Sequence, residues 1–308
     1  MKQRSSGFTL LELALVLLVI TVLLGGLAVP FTRQIETRRI AETNKAMATI
    51  QDALIGYAMS HSYSCTCSYD VNGLWSSSNS TCPEQTATFS LPGACATTGT
   101  ASTTQVVMHH YLPCPTWSNN GIEPTRDSAG NCPAPPAGNS HVGFLPWATL
   151  GVPETDAWGD RYAYDVYLPY ANSSPGYGFS TSWPPDVNNP QDGQLYVCNA
   201  AGCTLPPSAT PPSPSPYIAV QVPALVISYG PDGEGGYSAN NNQWAVYPPP
   251  NEPDELQNAT YGGSLSNRAY VSHPPIAASS TNAQFDDLVT WLSWSALVNR
   301  VCPAGGCP

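Results

Sequence analysis

The chain has 308 residues, of which 10% are charged, with 21 acidic side chains against 10 basic ones. Beyond residue 60 only four arginines accompany 17 carboxylates, and this net charge of −13 argues against nucleic-acid binding by that part of the chain, because it repels phosphate backbones. The 32 prolines and 25 glycines predict many loops and short strands, while 8 tryptophans and 16 tyrosines supply apolar area for a folded core.

The N-terminus begins with a short basic segment and continues as a long apolar run. From Phe8 to Phe31 the only charged residue is Glu12. These 24 residues would span roughly 36 Å as a helix, which is enough to cross a bilayer core. Lys2 and Arg4 favour a cytoplasmic N-terminus, so we expect the bulk of the chain outside the cytoplasm.

The apolar run continues into an amphipathic segment and offers no convincing signal-cleavage site. Apolar residues spaced by 7, 3, 4 and 3 positions form one helical stripe: Ile40, Met47, Ile50, Leu54 and Tyr57. We therefore predict one long helix over 8–60, transmembrane over 8–31 and packed on a domain in its second half. Gly25, Gly26 and Pro30 predict a kink or local melting, because proline removes a backbone donor and clashes with the preceding turn.

The string SSGFTLLEL resembles the class III signal of type IV pilins and type II secretion pseudopilins. In that family a membrane peptidase cuts after the glycine and methylates the new N-terminus. The resemblance implies a leader peptide of residues 1–7, a cut between Gly7 and Phe8, and an assembly role for Glu12. Glu12 would pair with the Phe8 amine of a neighbouring subunit, since each of these charges alone is costly in an apolar environment.

The resemblance also implies a location and partners. We expect a single-pass inner-membrane precursor whose residues 61–308 form an extracytoplasmic pilin-like head, and which enters a surface or periplasmic filament. The implied partners are the prepilin peptidase, other pilin or pseudopilin subunits and an inner-membrane assembly platform. Size and cysteine content favour a large minor pilin of a type IV pilus or pilus-like filament. The alternatives are a type II secretion pseudopilin, or a tip adhesin that binds glycans or surfaces through loop aromatics.

The expected fold class is α+β, with the long helix packed on an antiparallel β-sheet head whose loops are stapled by disulfides. Residues 112–166 resemble a pilin-like segment in which a Cys-Pro turn leads to G-x-LPW-x-TLG and D-x-WG-x-x-Y-x-Y. The first part of the second motif predicts a turn, and the following strand would place Tyr162, Tyr164 and Val166 on one face.

Three further segments carry local predictions. Residues 62–104 are rich in Ser, Thr and Cys and predict a disulfide-pinned loop region. Residues 217–230 predict a strand pair or one bent strand, with a break at Pro223. Residues 285–301 predict a C-terminal helix, with a strand as the alternative.

Ten cysteines, all beyond the apolar run, predict disulfides, because an exported chain meets an oxidising space. The favoured pairs are Cys198–Cys203, Cys302–Cys307 and Cys114–Cys132. The other four would pair among themselves in a pattern that the sequence leaves open: Cys65, Cys67, Cys82 and Cys95. The alternative is a zinc site at His61, Cys65 and Cys67, although no CxxC pair occurs.

The loop SYGPDGEGGYSANNNQ (228–243) resembles the S-x-G-x-DG string that opens a calcium-binding loop in major pseudopilins. Asp232, Glu234 and Asn240 to Asn242 would supply oxygen ligands for calcium here. The alternative is a Gly/Asn-rich turn between strands, since the spacing is not that of an EF-hand. No other cofactor is expected.

Motifs typical of enzymes are absent from the sequence, which contains no GxSxG, HExxH or P-loop. Two carboxylate pairs, Asp254-Glu255 and Asp286-Asp287, lie in charged runs that we expect to be exposed. We therefore expect a protein without catalytic activity.

Overall fold

One long helix leads into a head of short strands and helices. The computed structural model describes residues 10–80, 82, 95, 98–136, 142–173, 195–202, 215–240, 243–246, 248–259, 268–277 and 283–301, without the side chains of 22–33, 107, 221, 243 and 244. The helices in these ranges are α1 (Leu10–Ser60), α2 (Trp147–Leu150), α3 (Leu168–Ala171), α4 (Pro253–Asn258) and α5 (Trp294–Val301). The strands are β1 (Ser62–Ser68), β2 (Thr104–His110), β3 (Gly143–Phe144), β4 (Asp160–Arg161), β5 (Ala163–Val166), β6 (Leu195–Cys198), β7 (Tyr217–Val222), β8 (Ala224–Ser228), β9 (Tyr237–Ser238), β10 (Gln243–Trp244), β11 (Arg268–Val271) and β12 (Leu288–Trp291).

The surroundings of α1 change along its length. All side chains over 10–21 are exposed, and Leu10 and Leu11 have accessible fractions of 88% and 78%. From Thr43 onward one face of α1 is buried by the head, including Met47, Ile50, Leu54, Tyr57 and Ala58. The predicted amphipathic stripe therefore faces the head, with Ile40 half-buried at its N-terminal end.

The backbone of α1 is helical without interruption across Gly25, Gly26 and Pro30. No local melting is present at these residues, and the kink stays a prediction. Over the part of the chain described above, no helix combines the length and the apolar character needed to cross a membrane.

The centre of the head is a four-stranded antiparallel sheet in the order β12-β8-β5-β3. Alternate residues of its strands point to opposite faces. Tyr162, Tyr164 and Val166 share a core with the buried face of α1, which confirms the face predicted for this segment. Leu225 and Ile227 of β8 point the other way, into a second core. The sheet is therefore covered on both faces.

The sheet β11-β6-β7 closes the second core. Its strand β6 contributes Leu195 and Val197 to that core. Strand β6 runs antiparallel to β7 and parallel to β11. The antiparallel architecture expected from the sequence thus holds for the described strand pairs other than β6–β11. The predicted break at Pro223 is confirmed, because it separates β7 from β8, which belong to different sheets.

The turn at Asp156 joins the central sheet to α1. The Asp156 Oδ1 atom accepts hydrogen bonds from the backbone N–H groups of Trp158, Gly159 and Asp160 at 2.9–3.0 Å. Its Oδ2 atom accepts a 2.6 Å hydrogen bond from the Ser228 hydroxyl, and the N–H of Ala157 donates to Thr43 of α1 at 3.2 Å. The buried carboxylate therefore fixes the predicted turn against both β8 and the long helix.

Two segments differ from the sequence expectation. The expected loop region over 62–104 contains β1, which pairs antiparallel with β2 and buries the alternating residues Cys65 and Cys67. Within 285–301 the helix begins only at Trp294, because Leu288–Trp291 forms an edge strand on β8. Both are tertiary effects, since pairing with a distant strand overrides a weak or helical local pattern.

Three disulfides lie among the described residues: Cys65–Cys82, Cys67–Cys95 and Cys114–Cys132. The third has the pairing that the sequence favours, and the first two give the connectivity that the sequence left open. Cys198 is disulfide-bonded as well. Its predicted partner Cys203, together with Cys302 and Cys307, lies outside the described residues.

The alternative of a zinc site at His61, Cys65 and Cys67 is wrong, because both sulfurs are in disulfides and zinc binds thiolates. A ring nitrogen of His109 lies within 4.8 Å of the Cys65 and Cys82 sulfurs. Burial is the main cause that lowers the pKa of His109 to about 4, so this imidazole stays neutral beside the disulfides.

Packing of the head on α1 predicts a large cost for truncating Ile50, which is fully buried. Ile50→Ala should lower the free energy of unfolding of the purified full-length chain by about 2–5 kcal/mol, because it removes apolar contacts and leaves a cavity. Chemical denaturation followed by tryptophan fluorescence measures this change. The matched control is Ile35→Ala on the same helix, where the side chain is 52% exposed and the expected change is below about 0.5 kcal/mol. Equal losses in the two variants would contradict the observed packing.

Candidate functional site

Of the N-terminal motif, only the residues from Leu10 onward, at the start of α1, lie among the described residues. Gly7 and Phe8 lie outside the described residues, so the predicted cleavage site stays a prediction. Glu12 lies in the first turn of α1, and its side chain is exposed among exposed leucines such as Leu11 and Leu13. A carboxylate within such an apolar surface favours a positively charged partner wherever lipid or other helices cover that surface.

A second candidate site lies in the loop after β8. Gly230, Gly233 and Gly235 all have positive φ angles, between 64° and 80°, which gives this loop its tight path. A Cβ atom on Gly230 would lie 2.3 Å from an Asp286 carboxylate oxygen. Glycine is therefore required at position 230 for the loop to approach the segment that precedes β12.

Carboxylates from three separate segments converge at this loop. Single oxygen atoms of Asp232, Glu234 and Glu255 all lie within 4.8 Å of one another. Asp232 and Glu234 belong to the loop, whereas Glu255 comes from α4 and is only 1% exposed. Asp286 adjoins them, because its backbone N–H donates a 2.8 Å hydrogen bond to Glu255 Oε1. We call these four residues the acidic cluster.

Hydrogen bonds satisfy only part of the acidic cluster. The Gln284 amide donates to Asp232 at 2.7 Å and to Asp286 at 3.1 Å, and the N–H of Glu234 donates to Asp232 at 2.9 Å. Within the described residues, one oxygen each of Glu234, Glu255 and Asp286 is inaccessible and has no hydrogen-bond partner. Buried carboxylate oxygens without donors are costly, so the cluster is poised for a positive charge.

The electrostatics of the acidic cluster point the same way. Burial and the nearby Asp232 carboxylate raise the pKa of Glu255 to about 8. The same two causes, in the same order, raise the pKa of Asp286 to about 7. Burial also raises the pKa values of Asp232 and Glu234 above their usual ranges. Each carboxylate therefore holds a proton more strongly than usual, as expected for buried carboxylates that lie close to one another.

Internal basic groups do not neutralise the acidic cluster in the described structure. Beyond residue 60 the chain has no lysine and only four arginines. Each of the four forms an ion pair elsewhere: Arg126–Glu123, Arg161–Glu154, Arg268–Asp165 and Arg300–Asp52. None of these four arginines therefore neutralises the acidic cluster in the described structure.

The residues of the acidic cluster fit calcium. Calcium binds 6–8 oxygen atoms at about 2.3–2.6 Å, so two of its ligands lie at most about 5 Å apart. Asp232 and Glu234, the ligands predicted from the sequence, are both in the cluster. Asn240 instead lines a neighbouring cavity of about 470 Å³ together with Asp232, and the predicted Asn241 and Asn242 lie outside the described residues.

Sequence reasoning missed Glu255 and Asp286 as members of the site. Their carboxylate pairs were expected to be exposed, and this expectation is wrong, because Glu255 and Asp287 are 1% and 3% exposed and Asp286 is half-buried. The sequence did contain a signal for burial of these pairs. Leu256 follows the first pair and Leu288 the second, and no lysine or arginine lies near either pair in the sequence.

Comparisons with known proteins bear on the N-terminus. The family described as prokaryotic N-terminal methylation motif matches residues 2–28. No curated protein and no solved structure matches the chain. The motif implies processing by a prepilin peptidase and assembly with other pilin subunits. Residues 2–28 are thus a prokaryotic N-terminal methylation motif, and the chain is consistent with the type IV pilin and pseudopilin family.

Proposed function

We propose that the chain is a structural subunit of a type IV pilus or pilus-like filament, inserted in the inner membrane as a precursor and cleaved after Gly7. The observation that carries this proposal is the methylation motif over residues 2–28, with Glu12 five positions after the cut. Residues 1–7 are then the leader, 8–60 the anchoring and assembly helix, and 61–308 the extracytoplasmic head. The role requires no catalysis.

Exposure along α1 supports anchoring by this helix. Leu10, Leu11 and Leu18 are 88%, 78% and 64% exposed, whereas fully buried side chains on α1 begin at Thr43. Soluble proteins rarely leave such a continuous apolar surface uncovered. We propose that lipid covers this apolar surface over 8–31 before assembly. The helices of neighbouring subunits would cover it afterwards.

Glu12 gives this assembly its register. A carboxylate in the apolar core costs roughly 2.5–3.5 kcal/mol on insertion scales, and cleavage would create a second costly charge, the amine of Phe8. A pair between Glu12 of one subunit and the Phe8 amine of its neighbour lowers both costs. Because only one stagger of the helices brings the two charges together, the pair selects that stagger.

Within this class we propose a large minor pilin, on the size of the head and its cysteine content. A type II secretion pseudopilin is the second candidate, favoured by the Asp156 turn and by the loop that carries Asp232. A tip adhesin is a further role that the same fold would accommodate, and most of the loop aromatics it would use lie outside the described residues.

We also propose that the acidic cluster binds calcium as a structural ion. The observation that carries this part is the Glu255 carboxylate, which is 1% exposed, has one oxygen without a donor, and lies within 4.8 Å of two other carboxylates. Calcium would join the loop after β8, helix α4 and the segment before β12. The ion would therefore stabilise a part of the head that like charges otherwise weaken.

The assembly role predicts that Glu12→Ala and Glu12→Gln leave membrane insertion intact and reduce incorporation into the filament. Both changes remove the charge that would pair with a neighbouring amine, while the apolar helix persists. Membrane fractionation measures insertion, and immunolabelling of sheared filaments in the native cell measures incorporation. Glu42→Gln, an exposed acid on the same helix, is the control and should incorporate normally. Normal incorporation of both Glu12 variants would overturn the assembly role of this carboxylate.

The calcium role predicts a cation-dependent response to pH. The pKa of Glu255 is raised from its usual 4.5 to about 8, so its protonation stabilises the fold below about pH 4.5, and this contribution is lost as pH rises through 8. In chelator, the Tm of the full-length chain should therefore fall as pH rises from about 5 to about 8. Calcium at about 100 times its Kd should restore roughly 5–10 °C at the higher pH.

Glu255→Gln is the variant that tests this response by differential scanning fluorimetry. It should show a smaller fall in Tm with pH and no gain with calcium, because both the titrating group and an ion ligand are removed. Glu42→Gln should behave like the wild type. A calcium gain in Glu255→Gln equal to that of the wild type would exclude this residue as a ligand.

A further inference from the structure

The hairpin of β1 and β2 brings cysteines and a histidine onto one face. Tyr63, Cys65 and Cys67 alternate onto the same side of β1. His109 of β2 lies directly opposite Tyr63 in the register, and opposed residues of an antiparallel pair share a face. His110 points the other way, and its Nδ1 atom lies 2.8 Å from a carbonyl oxygen of α1. His109 alone of the two histidines therefore lies on the cysteine face.

The side chains on this face form a compact buried group. The Cys65 and Cys82 sulfurs and a ring nitrogen of His109 all lie within 4.8 Å of one another. The Cys82 sulfur also lies within 4.8 Å of the sulfurs of Cys67 and Cys95. All five side chains are at most 2% exposed. We call these five residues the Cys/His cluster.

His109 lacks the hydrogen bonds that a buried imidazole normally has. Its side chain is 1% exposed, and neither Nδ1 nor Nε2 has a partner among the described residues. His61, in contrast, has its Nδ1 atom 2.9 Å from the Tyr57 carbonyl oxygen and stacks on the Tyr57 ring. Buried polar atoms are normally paired, because burial without a partner costs free energy. The His109 imidazole instead presents a nitrogen to the cysteine sulfurs.

We propose that the Cys/His cluster binds zinc when its sulfurs are reduced. Three of the ligands are Cys65, Cys82 and His109, and the fourth is a thiolate from the Cys67–Cys95 pair. Zinc lies about 2.3 Å from sulfur ligands and about 2.0–2.1 Å from nitrogen ligands, so two ligands of one ion lie at most about 4.6 Å apart. Separations within 4.8 Å therefore need only small shifts to hold the ion.

Zinc and the two disulfides exclude each other, because zinc binds thiolates and a disulfide has none. A phosphine breaks each S–S bond with two electrons: it takes an oxygen atom from water and becomes the phosphine oxide, while both sulfurs become thiols. Zinc then displaces the thiol protons as it binds. Wherever the thiols are still reduced, zinc would compete with their oxidation. This inference rests on neither the calcium site nor the filament role.

The experiment uses the full-length chain in detergent micelles, either oxidised or reduced with a phosphine. Competition with a chromophoric chelator gives the zinc affinity, and cobalt(II) reports on the ligands through its thiolate charge-transfer absorption. The reduced wild type should bind zinc, and zinc should slow its reoxidation by oxidised glutathione. The oxidised chain should not bind zinc, and Cys65→Ser combined with Cys82→Ser should abolish binding at the cluster in the reduced chain.

His109→Phe is the decisive variant, because it keeps an aromatic ring in the buried position and removes both nitrogens. It should weaken zinc binding by more than about 100-fold, since changing even a residue behind a metal ligand costs roughly 10–100-fold in affinity. His109→Gln should show the same direction of change and serves as the second variant if phenylalanine disturbs the packing.

Two controls separate the site from general thiol binding. His110→Phe alters the neighbouring histidine on the opposite face, and Cys114→Ser combined with Cys132→Ser removes a disulfide outside the cluster. Both should bind zinc as the wild type does. Zinc affinity that is the same in the wild type and both His109 variants would overturn the inference, because binding by thiols of an unfolded chain needs no histidine. Absence of zinc binding by the reduced wild type would overturn it as well.

Discussion

The structure depends on the contact between one face of α1 and the central sheet. Met47, Ile50 and Leu54 are each at most 3% exposed there, and full burial of such side chains contributes about 1.5–3 kcal/mol apiece. A sheet covers only one side of a helix, so the opposite side of the same segment stays polar. The remaining features of the head follow from holding the sheet at this face: the Asp156 turn reaches Thr43, and α5 packs Leu297 and Val298 into the same core.

Covering the central sheet on both faces places carboxylates inside the head, and these fall into two groups. Asp165 is fully buried, yet Arg268 pairs with it at 2.7 Å and the Tyr270 hydroxyl donates to it. Asp156 is held by three backbone N–H groups and one hydroxyl. Asp165 thus has an arginine as its counter-charge, and both oxygens of Asp156 accept hydrogen bonds within the fold. Glu255 accepts one hydrogen bond, from the Asp286 N–H, and has no arginine beside it in the described structure, which is why we propose a cation for the acidic cluster.

The sequence predicted what depends on local patterns. The motif around Glu12 is read directly from consecutive residues, the stripe on α1 from its helical spacing, and the shared face of Tyr162, Tyr164 and Val166 from alternation in a strand. The disulfide Cys114–Cys132 closes a short loop, and the spacing of the two cysteines was enough to favour it.

Features that depend on distant parts of the chain were not predictable in this way. Glu255 and Asp286 join a loop at Asp232 that lies more than 20 residues before either of them, and nothing in their own strings reveals that approach. Strand β12 has a helical apolar spacing and becomes a strand because β8 offers an open edge. The pairing Cys65–Cys82 with Cys67–Cys95 is likewise set by the register of β1 against β2.

In the proposed filament, the distribution of charge bears on which part of the chain would supply attraction between subunits. Each of the four arginines beyond residue 60 pairs with a carboxylate in the structure, so the net charge of −13 is an excess that folding does not remove. Heads brought together in a filament would repel one another at distances up to about the Debye length, roughly 8 Å at physiological salt. Under this proposal α1 would supply the attraction, through the exposed leucines of its first turns and the exposed Arg38, Arg39 and Lys45. In the proposed filament the helix would drive association while the acidic heads limit how closely they pack, and cations bound between or within the heads would relax that limit.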